Sequence, residues 1–446
     1  MLIGEKLRRF GADKVAFLIL LVIGLLIAQY VVSSRSALEL SESINLKGSG
    51  LTVSLPVGNN WKRTTSDFVF VDNEFRLAAQ LQISSDSGIT AIWRYSIIPL
   101  KIAPAERFAQ LANAVNGKII ASGSDKYGYF TYDYATIIGE GGLIMIGTTV
   151  LPNDRILTLQ VAQKGTGTEL AEKVFKALLA SAKYFDDNAY AKGLNFLNEF
   201  KNSHLPSLPL TELNSQNLVD FFRIKDSAGN SIGFTTDSLT YTSEPNDGFN
   251  FTLSSLFFYS PSFKTIAEQS FFRADTTLTI FDWSVKEGNQ LANRQEITRL
   301  QLDKNKIVTI EKSGRIEQFP FTNIMMPESL FDLVVADFLK SNFDSLYIEI
   351  LLSDGTIAPV MLSRIKSTQT SALPARSAAQ ADFFGVFTAN IKMYYDGSGR
   401  LVSSELQGNL TYRRERTTKA SIFADFPQWL SKIEQIEQYR DKRKNK

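Results

Sequence analysis

The sequence predicts an α+β protein in three successive pieces: an N-terminal transmembrane helix, an antiparallel-sheet α/β/α sandwich domain, and a β-rich curved antiparallel sheet, or half-barrel, with one covering helix. Three observations carry this reading. Residues 15–32 are one uniformly apolar run, residues 45–185 alternate short extended segments with two helical patterns, and residues 217–426 are almost wholly of strand type. At 446 residues the chain exceeds one ordinary core, so two globular domains are expected.

The first piece reads VAFLILLVIGLLIAQYVV, with Gln29 its only strongly polar residue. At 1.5 Å per residue it would span about 27 Å, close to a bilayer core. Lys6, Arg8, Arg9 and Lys14 precede it against Glu5 and Asp13, while Arg35 and Lys47 follow against Glu39 and Glu42. That asymmetry predicts a single-pass signal anchor in the bacterial cytoplasmic (inner) membrane. The basic segment 1–14 would lie inside and the bulk of the chain would be periplasmic or extracytoplasmic, part of the cell envelope. A cleaved signal peptide has the same grammar, but the run is longer than a usual signal core and no clean small-x-small site follows it.

In the region 45–185, extended runs at 51–55, 67–71, 76–83 and 89–98 are bounded by Gly, Asn, Asp and Ser. Pro104-Ala105-Glu106 opens a helix whose Phe108, Leu111, Ala112 and Val115 share one face. Three more strands follow, at 127–138, 143–151 and 155–162, joined through Gly139 to Gly142 and through Leu151-Pro152-Asn153-Asp154. Thr166 and Glu169 have capping-box spacing before a second helix with Leu170, Val174, Leu178, Leu179 and Ala182 as its apolar stripe. With LeuThrValSerLeuPro at 51–56 and LeuProAsnAspArgIleLeuThrLeu at 151–159, this pattern resembles the α/β/α sandwich of the PsbP/Mog1-like group, which includes many non-catalytic binding modules.

Residues 186–216, rich in Asp, Asn, Ser and Pro, read as a linker with a short helix around 189–200. In the region 217–426 the clearest strand is 387–395, with Phe387, Ala389, Ile391, Met393 and Tyr395 on one face, turned by Asp396-Gly397-Ser398-Gly399 into the next. Pro327 starts one helix whose apolar side is Leu330, Leu333, Val334 and Phe338. A curved sheet with one helix on its concave face resembles the LolA/LolB lipoprotein-carrier half-barrel. The whole arrangement also resembles uncharacterised exported proteins of planctomycete-type bacteria. Residues 427–446 form a basic C-terminal helix or tail ending in Arg440, Lys442, Arg443, Lys444 and Lys446.

Composition narrows the chemistry. The net charge of +2 gives no overall nucleic-acid signature, and the absence of Cys removes thiolate catalysis and thiolate metal sites. The single His204 falls in the linker beside Ser203, a poor place for the oriented imidazole of a Ser-His-Asp triad. Gly139 to Gly142 and Gly165-Thr166-Gly167 lack the phosphate-loop pattern and read as turns. No catalytic, cofactor-binding or metal-ligating set is therefore expected, and the chain reads as a non-enzyme without cofactor. The remaining signal is the ring density of the β-rich region, where Phe249, Phe251, Phe257, Phe281 and Trp283 are candidates to line a pocket for an apolar or lipid ligand. The alternative is a cell-envelope interaction or assembly protein with two docking domains and an envelope protein partner. A hydrolase is the least favoured reading.

Overall fold

In the computed structural model of the chain, the described residues are 21–24, 38–46, 49–58, 60–63, 69–71, 78–97, 103–151, 155–165, 168–185, 188–207, 218–242, 247–260, 266–289, 294–365, 376–384, 389–408 and 411–429. The first region holds strands β1 (Ile44–Leu46), β2 (Leu51–Val53), β3 (Trp61–Arg63), β4 (Val69–Val71), β5 (Ala78–Ser85) and β6 (Ile89–Ile97) before helix α1 (Pro104–Ala114). After it come β7 (Lys118–Tyr127), β8 (Phe130–Gly139), β9 (Gly142–Val150), β10 (Arg155–Gln163), helix α2 (Glu169–Ser181) and β11 (Lys183–Tyr184). The main sheet runs β3-β5-β6-β10-β9-β8-β7 with β4 also on β5, and a small sheet runs β1-β2-β11.

Period-two alternation decides how this sheet is covered. Leu81, Trp93, Leu157, Leu159 and Val161 point to one face, where they are buried against Val174, Leu178 and Leu179 of α2 and against Leu51 and Val53 of the small sheet. The opposite face carries Gln80, Gln82, Arg94, Thr158 and Gln160, all only half-buried. A polar face cannot seat a second helical layer, and α1 packs only at the β7–β8 end through Phe108 and Ala112. The expected α/β/α sandwich is thus corrected to a mostly β unit with a helix and a second small sheet sharing one face.

A second correction concerns the membrane. The expected span at 15–32 lies outside the described residues except for 21–24, which are helical and exposed. Four helical residues rise about 6 Å against a hydrocarbon core of about 30 Å. Among the described residues no helix is long and apolar enough to cross a membrane. The transmembrane helix, the signal anchor, the attachment through 15–32 and the single-pass inner-membrane localisation are corrected accordingly. The basic tail beyond residue 429 also lies outside the described residues.

The stretch read as a linker holds helix α3 (Asn188–Glu199) and a π-helical turn over Phe200–His204. Phe196, Leu197 and Phe200 are buried in the core of the β-rich region. Gly193 lets α3 lie directly on a strand, since an added Cβ would fall 1.7 Å from the Tyr347 carbonyl oxygen.

The remaining strands are β12 (Leu218–Lys225), β13 (Ser231–Tyr241), β14 (Phe251–Tyr259), β15 (Ile266–Ala274), β16 (Phe281–Asn289), β17 (Arg294–Leu302), β18 (Ile307–Lys312) and β19 (Arg315–Pro320). Then come β20 (Met325–Pro327), a 3-10 turn at Glu328–Leu330 and helix α4 (Phe331–Lys340). The chain returns through β21 (Ser345–Leu351), β22 (Ile357–Arg364), β23 (Ser377–Phe383), β24 (Ala389–Tyr395), β25 (Leu401–Gly408) and β26 (Tyr412–Thr417), followed by helix α5 (Lys419–Asp425). All fifteen strands form one sheet in the order β19 through β12, then β26 back through β20. Only β20 and β21 pair in parallel.

Residues from both halves of this sheet, Phe272, Trp283 and Leu300 on one side and Ile348, Val360 and Met393 on the other, share a single core with α3 and α4. The sheet must curl to bring them together, as the half-barrel reading expects. Its outer face has a separate small core, where Phe234, Leu256 and Phe258 meet Ile422, Phe426 and Trp429 from α5 and the turn after it. The two regions touch through Arg155 at the start of β10, whose guanidinium donates to Glu349 on β21 with both side chains fully buried.

Candidate functional site

Directly opposed residues in an antiparallel sheet lie on the same face, so the register names what the concave surface presents. Phe222, Thr235, Phe257 and Glu268 form one row across β12 to β15, and Asp220, Asp237, Ser255, Ser270 and Val285 form the next across β12 to β16. Leu239, Leu253, Phe272 and Trp283 form a third. Between these rows, the returning strands β24 to β26 and helix α4 lies a cavity of about 460 Å³. Glu328, Asp332, Leu333 and Ala336 approach it from the helical side, and Ile391, Met393, Leu406, Tyr412 and Arg414 from the returning strands.

The cavity is amphipathic. Leu239, Leu253, Trp283, Leu333, Ile391 and Leu406 supply apolar wall, while five carboxylates, Asp220, Asp237, Glu268, Glu328 and Asp332, face only two guanidiniums, Arg400 and Arg414. Arg400 donates to Asp220 at 2.5 Å. Arg414 donates to Asp332 at 2.9 Å and lies 4.7 Å from the centre of the Phe222 ring. Burial pushes the Asp237 carboxyl up to about 7, with Arg414 pulling against that rise and Asp332 and Asp220 adding to it. Burial likewise raises Glu268 to about 7, with Glu287 and Asp354 adding to it. Glu328 is exposed at the cavity mouth, yet desolvation by the protein around it raises its carboxyl too, with Glu268 the largest reinforcing charge. The charges acting on Glu268 and Glu328 are all carboxylates, and neither has a cationic partner among the described residues.

Of the five rings singled out from the sequence, the structure brings two to this cavity, Phe257 and Trp283. Trp283 is buried and its indole N–H donates to the Ser270 hydroxyl at 2.7 Å. Phe251 and Phe281 are on the same concave face but sit in the solid part of the core, where Phe281 meets Phe321 with ring centres 5.8 Å apart. Phe249 is half-buried before β14, with the Arg273 guanidinium 4.5 Å from its ring centre. Their assignment as pocket residues is corrected: an end-of-strand ring meets the packed floor, and only mid-sheet rings reach the cavity. The acidic lining was missed. The available signal was a carboxylate at an inward strand position, as with Asp237 between Thr235 and Leu239 and Glu268 two places before Ser270.

Two other polar groups stand apart from the cavity. His204 is on the π-helical turn, half-exposed, with Nδ1 against the Asp337 carboxylate, and so is tied to α4 and does not sit on a free linker. Lys201 is buried and donates to the carbonyls of Asn323 and Met325, both at 3.0 Å; burial lowers its ammonium to about 7, helped by Lys306. Among the described residues no group of three or more His, Cys, Asp or Glu side chains could hold a metal ion.

No protein-family model matches the chain, and no curated protein matches it. Among solved structures, the chain is similar to a beta-barrel-like protein of a domain of unknown function from Brucella abortus. Identity is 8%, with 45% of this chain and 97% of that chain covered and a TM-score of 0.34, too low to define a shared fold. The expected likenesses to the PsbP/Mog1-like group and to planctomycete exported proteins find no support among these matches.

Proposed function

We propose that this is a non-enzymatic binding protein whose β-rich domain holds a lipid-like amphipathic molecule in the cavity beneath α4. The observation that carries the reading is the cavity itself, which at about 460 Å³ falls in the range of small-molecule sites and has both apolar and polar walls. The lining is read as binding groups: no His or Lys stands beside its serines, and its carboxyls stand among apolar residues that would seat a ligand. A half-barrel suits such cargo because the curled sheet supplies a preformed apolar wall while one helix closes it.

The test is uptake of the apolar fluorophore N-phenyl-1-naphthylamine by the full chain, compared with Ala336→Trp. Ala336 is half-buried on the cavity side of α4, so the indole would fill the space. The variant should lose about tenfold or more of the affinity, with an unchanged or higher unfolding midpoint. Equal uptake by both proteins, or none by the unmutated one, refutes the cavity as a binding site and leaves docking to another protein as the reading.

A further inference from the structure

We propose that the bound molecule carries a positively charged nitrogen, an amine or quaternary ammonium, which sits at the Glu268–Glu328 end of the cavity with its apolar chain directed toward Leu253 and Trp283. This rests on the binding reading above and deepens it. Glu268 and Glu328 both line the cavity, the charge of Glu268 adds to the raised carboxyl of Glu328, and no cation among the described residues neutralises either. Two neighbouring carboxyls raised by their surroundings, with no cation of the chain beside them, form a wall on which a cationic group would be held and would in turn favour their ionised form.

The neighbouring groups suit an ammonium. Phe257 stands next to Glu268 in register, stacked on Tyr259 with ring centres 6.1 Å apart, and Tyr412 packs against Tyr259 at 5.7 Å. Phe257 and Tyr412 themselves line the cavity, and ring faces attract a cationic nitrogen as the carboxylates do. A separate observation marks the same row as built for a ligand. Thr235 is 6% exposed, lies between Phe222 and Phe257 in the lining, and its hydroxyl has no hydrogen-bond partner. A buried hydroxyl without a partner is unusual in a finished core and expected where a guest supplies the partner. From Glu268 to Phe272, opposite Leu253, is four residues of β15, about 13 Å along the strand, enough to separate a head from a chain. A bare metal ion is disfavoured by the lack of a third ligand of the right type among the described residues.

Isothermal titration of the full chain at about pH 8 with dodecylamine, dodecyltrimethylammonium, dodecanol and dodecanoate tests this. Both cationic probes should bind about tenfold or more tighter than dodecanoate, with dodecanol between. The double variant Glu268→Gln/Glu328→Gln should lose about tenfold for the cations and gain for dodecanoate. Dodecanoate binding as well as the amines, or cation affinity unchanged in the variant, overturns the charge assignment. Dodecanol binding with no cation preference would leave the cavity reading standing while this inference falls, and binding of none of the four would end both. The probe series on the unmutated protein decides the matter even where the variant fails to fold.

Discussion

Replacing Glu349 by leucine should destabilise the protein far more than replacing Glu349 and Arg155 together. Both side chains are fully buried, and they come from different sheets. Burial opposes the charge on Arg155, but Glu349, Tyr95 and Tyr347 outweigh it and hold the guanidinium above its ordinary range. Glu349 also accepts from the Tyr347 hydroxyl at 3.0 Å, while Nε and Nη1 of Arg155 have no partner. The pair is therefore well bonded on the carboxylate side and poorly bonded on the guanidinium side. Removing the carboxylate strands a buried cation, which costs about 3 to 5 kcal/mol. Removing both charges in Arg155→Met/Glu349→Leu also removes the desolvation of both, and so should return to within about 1 kcal/mol of the unmutated protein. Urea unfolding followed by tryptophan emission reads this for each region, since Trp61 and Trp93 report on the first and Trp283 and Trp429 on the second. Because the pair bridges the regions, both transitions should move in Glu349→Leu. A double variant no more stable than the worse single one would refute the reasoning.

Two further outcomes rest on packing and on protonation. Gly193→Ala should cost about 1 to 3 kcal/mol by lifting α3 from the Tyr347 carbonyl, seen as a lower unfolding midpoint; an unchanged midpoint would mean that the helix has room. The Asp237 carboxyl titrates near 7 when folded and near 4 when unfolded, so the folded state holds an extra proton between those values and its contribution to stability falls as pH rises through that window. Its share of the loss is at most about 4 kcal/mol, less where cavity water screens it, and Asp237→Asn should flatten the decline between pH 5 and pH 8; parallel pH profiles for the two proteins would exclude it.

The features legible in the sequence were those set by local periodicity. Pro104 and Phe108 announced α1, and the stripe Leu170, Val174, Leu178, Leu179 and Ala182 announced α2, where all but the exposed Leu170 in its first turn are buried. Asp396 does turn β24 into β25, accepting from the backbone N–H groups of Ser398 and Arg400. The features that stayed hidden depend on register. Asp237 and Glu268 are separated by a whole strand, and only the pairing of β13 with β14 and β14 with β15 sets them on one surface beside Glu328 from the helical side. The polar face of the first sheet was written in Gln80, Gln82 and Arg94, but strand alternation alone does not say whether a helix or a small sheet covers the other side. The short helix read at 189–200 is present as α3, but sequence alone did not show that Phe196, Leu197 and Phe200 anchor it in the core of the β-rich region.

The pairing of β12 with β26 has a consequence for how the protein is made. Lys225 on β12 meets Glu415 on β26 at 2.7 Å, 190 residues apart in the chain. Every strand from β12 to β19 can join its predecessor as it emerges, yet the open margin of β12 has no mate until the last strand has been synthesised. A contact of such sequence separation is slow to close, and an unpaired strand margin recruits other chains meanwhile. Nascent protein should therefore remain vulnerable to misassociation until β26 has been made. Truncation just before β26 would leave the margin of β12 without its mate and would also remove Ile422, Phe426 and Trp429 from the outer core, and should push the chain into aggregates more strongly than losing a short piece of an outer loop.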